Sequence, residues 1–276
     1  MMKKLNLVTL VILIFTLTLS GCRIKDRKDL KQDPNTWSKI MKNKKVVIGI
    51  DDSFVPMDFQ TKSGKIVGYD VDLARAVFQQ YGVTVEFQPI DWSMNTTELN
   101  NGTIDLIWNG FTINEQREKS MLFSKPYLKN GQVLVSKTDQ KITNPQKMNN
   151  RVLGVQTGSA GSMDLDKHPK VLKKYIKDNN PIMYDTFTDA FIDLNANRIQ
   201  GLLIDQVYAN YYINKMQAKY IKYNVTPVNY PSEFYGVGMK KNDTKLKNKI
   251  DFGINKLAKN GELAKINRKW LGQKND

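Results

Sequence analysis

The chain has one cysteine, Cys22, and one histidine, His168, in 276 residues. A single cysteine excludes an intrachain disulfide framework. No Cys or His pair stands at zinc spacing, and no Arg- or Lys-rich arm is present, so the marks of a DNA reader are missing. The histidine lies in DKHPK (166–170), a turn expected to be exposed. Acidic residues are scarce as well: 27 Asp and Glu stand against 42 Lys and Arg, a formal charge of +15. The bases are scattered along polar faces, which fits a solvated basic surface, and no nucleic-acid partner is expected. Beyond residue 22 no apolar run approaches the roughly 20 residues of a membrane span. What remains is a globular composition, 41% hydrophobic and 25% charged, enough for one large or two ordinary domains.

The one long apolar run, Leu5 to Leu19 (LNLVTLVILIFTLTL), follows Lys3 and Lys4. A basic start, an apolar centre and small residues after it make a secretory signal, with an uncut membrane anchor as the alternative. The run ends in LTLSGC. Leu19-Ser20-Gly21-Cys22 resembles the bacterial lipobox, whose cysteine thiol takes a diacylglyceryl group before cleavage on its amino side. That resemblance implies a lipoprotein signal peptide over 1–21 and a lipid anchor at Cys22. Residues 22–43 are polar, with Pro34 among them, and read as a tether, with a short helix starting within Trp37–Met41.

Further along, short β-branched runs alternate with helical stripes. VVIGI (46–50), VTVEF (83–87) and IDLIW (104–108) read as strands. Asp70 is placed as the N-cap of a helix bearing Val71, Leu73, Ala74, Val77 and Phe78 on one face. The same alternation restarts after Pro126: strands at 132–136, 151–155 and 201–204, a helix capped by Thr186 or Thr188, and a helix over 206–216. A strand over 234–239 and helices over 245–259 and 262–270 complete the chain. Strand–helix alternation in two sets indicates α/β architecture with parallel sheets. VVIGIDDSF (46–54) and VLGVQTGSA (152–160) echo each other as strand-then-loop. Two such loops could face one another across a cleft. The second, Thr157 to Ala160, opens a helix whose N–H groups suit an anion, with a plain Ser-capped turn as the alternative.

Several stretches then resemble bacterial extracellular solute-binding proteins of family 3, the receptors of polar amino acid ABC importers. They are GIDDSFVPMDF (49–59), GYDVDLA (68–74), DLI (105–107) with NGFTI (109–113) and EQR (115–117), GVQTGS (154–159), YGVGM (235–239), NGEL (260–263) and KWLG (269–272). The resemblance covers about 44–272. It implies a two-lobe periplasmic-binding-protein-like fold of type II, each lobe a mainly parallel sheet flanked by helices. Lobe 1 would be 44–126 plus 236–276, lobe 2 132–230, and a two-stranded hinge would lie at 127–131 and 231–235.

Residue by residue, the resemblance makes Arg117 the clamp for an amino acid carboxylate, because its fork matches two oxygens. Thr112, through hydroxyl and N–H, and the N–H of Ala160 complete that cage. Asp205 and the carbonyl of Gly110 take the ammonium. Phe54 and Trp92 wall the side chain, and Asp51, Asn109 and Gln156 meet its polar end. On the residues alone the readings differ: Arg117 is a helix-surface charge, Asp205 an N-cap, Phe54 and Trp92 core aromatics, and Asp51 a turn residue or metal ligand.

The lining has no other Lys or Arg, which speaks against an acidic side chain. Gln156 and Ile204 stand where glutamine receptors of the family carry lysine and histidine, which weakens glutamine. The expected ligand is a polar L-amino acid, neutral or cationic, with cystine, glutamine, arginine and histidine in range. No cofactor or metal is implied. The other implied partners are the permease subunits of an ABC importer and, through lipid at Cys22, the outer face of the cytoplasmic membrane of a Gram-positive cell. The receptor would be a monomer and not an enzyme. The alternatives are a cyclic-acid dehydratase-like enzyme on the same fold, or a basic surface adhesin.

Overall fold

A computed structural model describes residues 35–216 and 221–272. The expected signal peptide, Cys22 and most of the expected tether lie outside the described residues. Helix α1 (Thr36–Asn43) leads into β1 (Lys45–Ile50), followed by β2 (Ser53–Phe54), β3 (Asp58–Gln60), β4 (Ile66–Val67), α2 (Tyr69–Gln79), β5 (Thr84–Pro89), α3 (Asn95–Asn101), β6 (Leu106–Ile107), α4 (Glu115–Ser120) and β7 (Met121–Phe123). Next come β8 (Leu128–Asn130), β9 (Gln132–Lys137), β10 (Leu153–Gln156), α5 (Ala160–Lys167), β11 (Ile182–Tyr184), α6 (Phe187–Asn195), β12 (Gly201–Asp205), α7 (Gln206–Tyr211) and β13 (Tyr223–Pro227). The chain returns through β14 (Glu233–Tyr235) to β15 (Gly238–Lys240), α8 (Thr244–Lys259) and α9 (Glu262–Leu271).

Two five-stranded sheets result, ordered β5-β1-β6-β15-β7 and β11-β10-β12-β9-β13. In each, three neighbours are parallel (β5, β1, β6; β11, β10, β12) and the remaining pairings are antiparallel. β8 and β14 form a separate antiparallel pair, with Asn130 opposite Glu233 and Leu128 opposite Tyr235. The chain crosses from one sheet to the other through these two strands.

Burial explains the strands. β12 (GLLID) is buried along its whole length and β1 along most of it, as parallel strands covered on both faces must be. The helices dock by apolar stripes. On α8, Leu246, Ile250, Ile254 and Leu257 recur at four- and three-residue steps and all are buried, each contributing about 2 kcal/mol. On α6, Thr186 is the cap: its hydroxyl accepts from the Asp189 N–H, and Phe187, Ala190, Phe191 and Leu194 are buried behind it. Among the described residues no helix is long and apolar enough to cross a membrane.

Several expectations are corrected. The tether, expected to reach residue 43, gives way earlier: the short helix expected within Trp37–Met41 is present as α1 over 36–43 and buries Trp37 and Ile40, with Trp37 edge-on to Tyr81 at 4.9 Å. Asp70 is not a cap. Gly68 holds that position, and Asp70 lies fully buried in the first turn of α2. The single strand expected over 234–239 is two, in two different sheets. The helix expected over 206–216 is α-helical only to Tyr211 and continues as a π-turn over Tyr212–Met216. His168 is half-buried at the C-terminal end of α5, its ring 6.1 Å from that of Tyr230.

Candidate ligand-binding cleft

The carboxyl ends of the central strands of both sheets carry the expected site residues, the position at which open α/β sheets bind ligands. Asp51 follows β1, Asn109 and Gly110 follow β6, Gln156 ends β10 and Asp205 ends β12. Nine of the ten expected residues line one small cleft: Phe54, Trp92, Asn109, Gly110, Thr112, Arg117, Gln156, Ala160 and Asp205, joined by Ser159. The tenth, Asp51, stands beside it and accepts a hydrogen bond from Gln156 Nε2 at 2.8 Å. The free space between these side chains is small, about 10 Å³ for the centre of a water-sized sphere, so the cleft is nearly shut in this conformation.

Arg117 is not the surface charge that its neighbours Glu, Gln and Lys suggest. Asn114 caps α4 by accepting from the Arg117 N–H at 2.9 Å, which turns the side chain inward, where it is 5% exposed. Nη1 donates to the Thr112 carbonyl at 2.8 Å and Nη2 to the Gly158 carbonyl at 3.0 Å. The guanidinium also lies 4.0 Å above the Phe111 ring. Among the described residues no carboxylate forms an ion pair with it. Burial lowers its pKa to about 10, and the more distant charges of Glu233 and Asp205 act against that fall. A buried cation without a contacting anion is poised for one from outside.

The loop before it is fixed group by group. Asn109 Oδ1 accepts from the Asp51 N–H at 2.9 Å, and its Nδ2 donates to Asp58 Oδ2 at 2.7 Å. The Gly110 N–H donates to Asp70 Oδ2 at 2.6 Å. Gly110 has φ of +51°, and a Cβ there would stand 2.7 Å from the Phe54 ring, so only glycine lets the chain pass. Opposite, Ser159 caps α5 by accepting from the Ser162 N–H at 3.1 Å. The first N–H groups of that helix, from Ala160 on, have no intrahelical backbone acceptor, and Ala160 lines the same cleft as Arg117.

In the same cleft, Asp205 Oδ1 accepts from Asn130 Nδ2 at 2.6 Å and from the Tyr235 hydroxyl at 2.8 Å. Burial first, and the charge of Glu233 second, raise its pKa to about 7; its two hydrogen bonds and Arg117 hold it down. Burial also raises Asp51, against hydrogen bonds from Ser53 and Gln156. Phe54 packs on Phe187 and Tyr208 across the cleft at 5.8 and 5.4 Å, and Trp92 stands edge-on to Phe111 at 5.6 Å. Among the described residues no group of three His, Cys, Asp or Glu side chains is arranged to hold a metal ion.

Glu233 is the residue that sequence reasoning missed. It lies on β14, 6% exposed, and its Oε2 accepts from Thr112 Oγ1, Asn130 Nδ2 and Gln132 Nε2 at 3.1, 2.9 and 3.1 Å. The Thr112 hydroxyl, which has one proton, donates it to this carboxyl group, a partner outside the expected set. The one available signal was alternation in SEFYG, which puts Glu233 and Tyr235 on one face and Phe234, 44% exposed, on the other.

Two lobes with facing strand ends, a two-strand crossing and a polar cleft that joins both define a type II periplasmic-binding-protein-like fold. The sequence profile of the bacterial extracellular solute-binding proteins, family 3, matches residues 46–273. The chain belongs to that family. It is 45% identical to an ABC uptake transporter substrate-binding protein from Streptococcus pneumoniae crystallised with bound histidine, over 86% of this chain and 96% of that one, with a TM-score of 0.84. It is 25% identical to the L-cystine-binding protein TcyJ of Escherichia coli over 87% of each chain. It is 26% identical to the arginine-binding extracellular protein ArtP of Bacillus subtilis over 83% of this chain and 86% of that one.

Proposed function

We propose that this protein is a receptor that binds one free polar L-amino acid between its lobes, closes on it, and delivers it to an ABC importer. The observation that carries this reading is Arg117, a buried guanidinium with two backbone hydrogen bonds and no contacting anion, in a cleft that Asp205 also lines. A free amino acid supplies both missing charges. Its carboxylate would lie between Arg117 and the N–H groups of Thr112 and Ala160. Its ammonium would lie at Asp205, the Thr112 oxygen and the Gly110 carbonyl. Its side chain would run between Phe54 and Trp92 toward Asp51 and Gln156.

The charge balance bears on the side chain. Three buried carboxyl groups, Asp51, Asp205 and Glu233, stand in or beside a cleft that holds one guanidinium. Excess acid favours a ligand with a cationic or donor-rich end, and the relatives' ligands, histidine, arginine and cystine, have such ends or are neutral. Entry requires the lobes to part: the cross-lobe bonds of Arg117 to Gly158 and Gln156 to Asp51 occupy positions the ligand takes. The paired strands β8 and β14 would serve as the hinge for that motion.

Thermal shift of the full chain against the twenty standard L-amino acids and L-cystine tests the reading. Stabilisation by at least one, confirmed by calorimetry, is expected. No response to any of them would remove the amino acid assignment.

Placement outside the cytoplasmic membrane, held by lipid at Cys22, rests on the lipobox-like LSGC. A tether keeps a receptor beside its importer and, in a cell without an outer membrane, keeps it from diffusing away. In such a cell Cys22→Ala is expected to abolish lipid attachment and the cleavage that depends on it, so the protein accumulates as the larger, unlipidated precursor. A variant that stays membrane-bound at wild-type size would rule the anchor out.

A further inference from the structure

We propose that Glu233 is a positioning residue for the ammonium end of the cleft, acting through Thr112 and Asn130 from the strand that joins the lobes. This rests on the amino acid reading above. Three donors converge on Glu233 Oε2: the Thr112 hydroxyl from the first lobe, Asn130 from β8 and Gln132 from β9. Each bond has a consequence in the cleft. By taking the only hydroxyl proton of Thr112, Glu233 turns the oxygen lone pairs toward the ligand, where they accept from an N–H⁺ and repel a carboxylate. By sharing Asn130 Nδ2 with Asp205 Oδ1, it fixes the amide whose other bond orients Asp205. Asp205 is thus held on one oxygen by Asn130 and Tyr235, and no hydrogen bond within the described residues claims its second oxygen.

Glu233 also sets the charge there. The charged and titratable groups facing it are Arg117 from α4, Asp205 from the end of β12, Asp164 from α5 and Tyr235 from its own strand. Its Oε1 is buried and meets no N–H or hydroxyl donor, and its neighbour within hydrogen-bonding reach is another carboxyl, Asp164, a contact that needs a proton on one of the two. Burial raises Glu233 as it does Asp205, and two such neighbours resist being ionised together. An incoming ammonium favours the ionised form of both. Binding therefore expels a proton, and affinity falls as pH drops below about 7, the value to which Asp205 is raised. The limiting slope is about tenfold per pH unit for one proton.

The test uses the full chain, the amino acid giving the largest thermal shift among the twenty and L-cystine, and calorimetric Kd values from pH 5 to 9. For the wild type, affinity is expected to weaken below about pH 7. Glu233→Gln keeps the shape and removes the charge. Its Kd at pH 8 should rise about tenfold, as for loss of one charge-assisted bond, and the pH at which affinity begins to fall should move down by about one unit as Asp205 loses its anionic neighbour. Thr112→Val, the control if the glutamine variant fails to fold, should weaken binding by a similar factor and leave that midpoint in place, because Glu233 retains its charge. A purely structural role would change Kd equally at every pH. An unmoved midpoint in Glu233→Gln, or wild-type affinity in Thr112→Val, overturns the proposal while the amino acid reading stands. If no amino acid binds the wild type, both fall together.

Discussion

Arg117→Ala is expected to cost about 2–5 kcal/mol of amino acid binding, the loss seen when one member of a buried, hydrogen-bonded charge pair is removed. The free protein already bears the cost of holding this guanidinium away from water, which is why its pKa is depressed to about 10. Two carbonyls, Thr112 and Gly158, and the face of Phe111 offset part of that cost. A ligand carboxylate would offset the rest, so the gain appears only on binding. Arg117→Lys should recover little, because an ammonium cannot reproduce a fork that spans two carbonyls and meets two carboxylate oxygens. Calorimetry on the best-binding amino acid measures the loss, and thermal unfolding of the ligand-free variants shows how much is structural. Affinity within threefold of wild type in Arg117→Ala would take this residue out of the site.

The fold was legible because its signals are local. VVIGI and GLLI are buried strands in any context that covers both faces, and the stripe Leu246, Ile250, Ile254, Leu257 has one reading. Thr186 capped where a Thr before an apolar run should. The errors came where long-range contacts overrule such signals. Asp70 looks like a cap from its neighbours, yet the N–H of Gly110, forty residues on, and the Tyr127 hydroxyl pull it inside. Trp37 reads as the start of a short helix inside a tether, and only its contact with Tyr81 shows that this helix belongs to the folded unit. In the cleft, motif resemblance located residues that residue chemistry alone would have left on the surface, Arg117 above all. The same resemblance gave no hint of Glu233, because nothing in one sequence tells which face of a three-residue strand meets the first lobe. Nor could it give the direction of the Thr112 hydroxyl, which is decided by a carboxylate 121 residues away.

Gly68→Ala is expected to destabilise the chain by more than about 4 kcal/mol, in the range reserved for changes the backbone cannot absorb. Gly68 precedes α2 with φ of +150°, open only to glycine. A Cβ there would lie 1.9 Å from the Met57 carbonyl oxygen and 2.9 Å from the Asp58 nitrogen. Both obstacles are backbone, so no rotamer change relieves them. The contact cannot simply loosen, because the Tyr69 and Asp70 N–H groups donate to the Pro56 and Met57 carbonyls at 2.8 and 3.0 Å. These two segments also carry the carboxyls that anchor the cleft loop: Asp58 to Asn109 and Asp70 to Gly110. Asp58 and Asp70 are fully buried, and burial raises Asp70 to about 7. Parting the segments would wet both and release the loop that presents the Gly110 carbonyl and Thr112. The two substitutions therefore separate in a urea titration. Arg117→Ala should unfold near the wild-type midpoint and ignore added amino acid, whereas Gly68→Ala should unfold at far lower urea or not accumulate folded. A Gly68→Ala midpoint within about 0.5 M of wild type, where m is about 1–3 kcal/mol per molar, would mean that the Met57 backbone yields and the clash is not rigid.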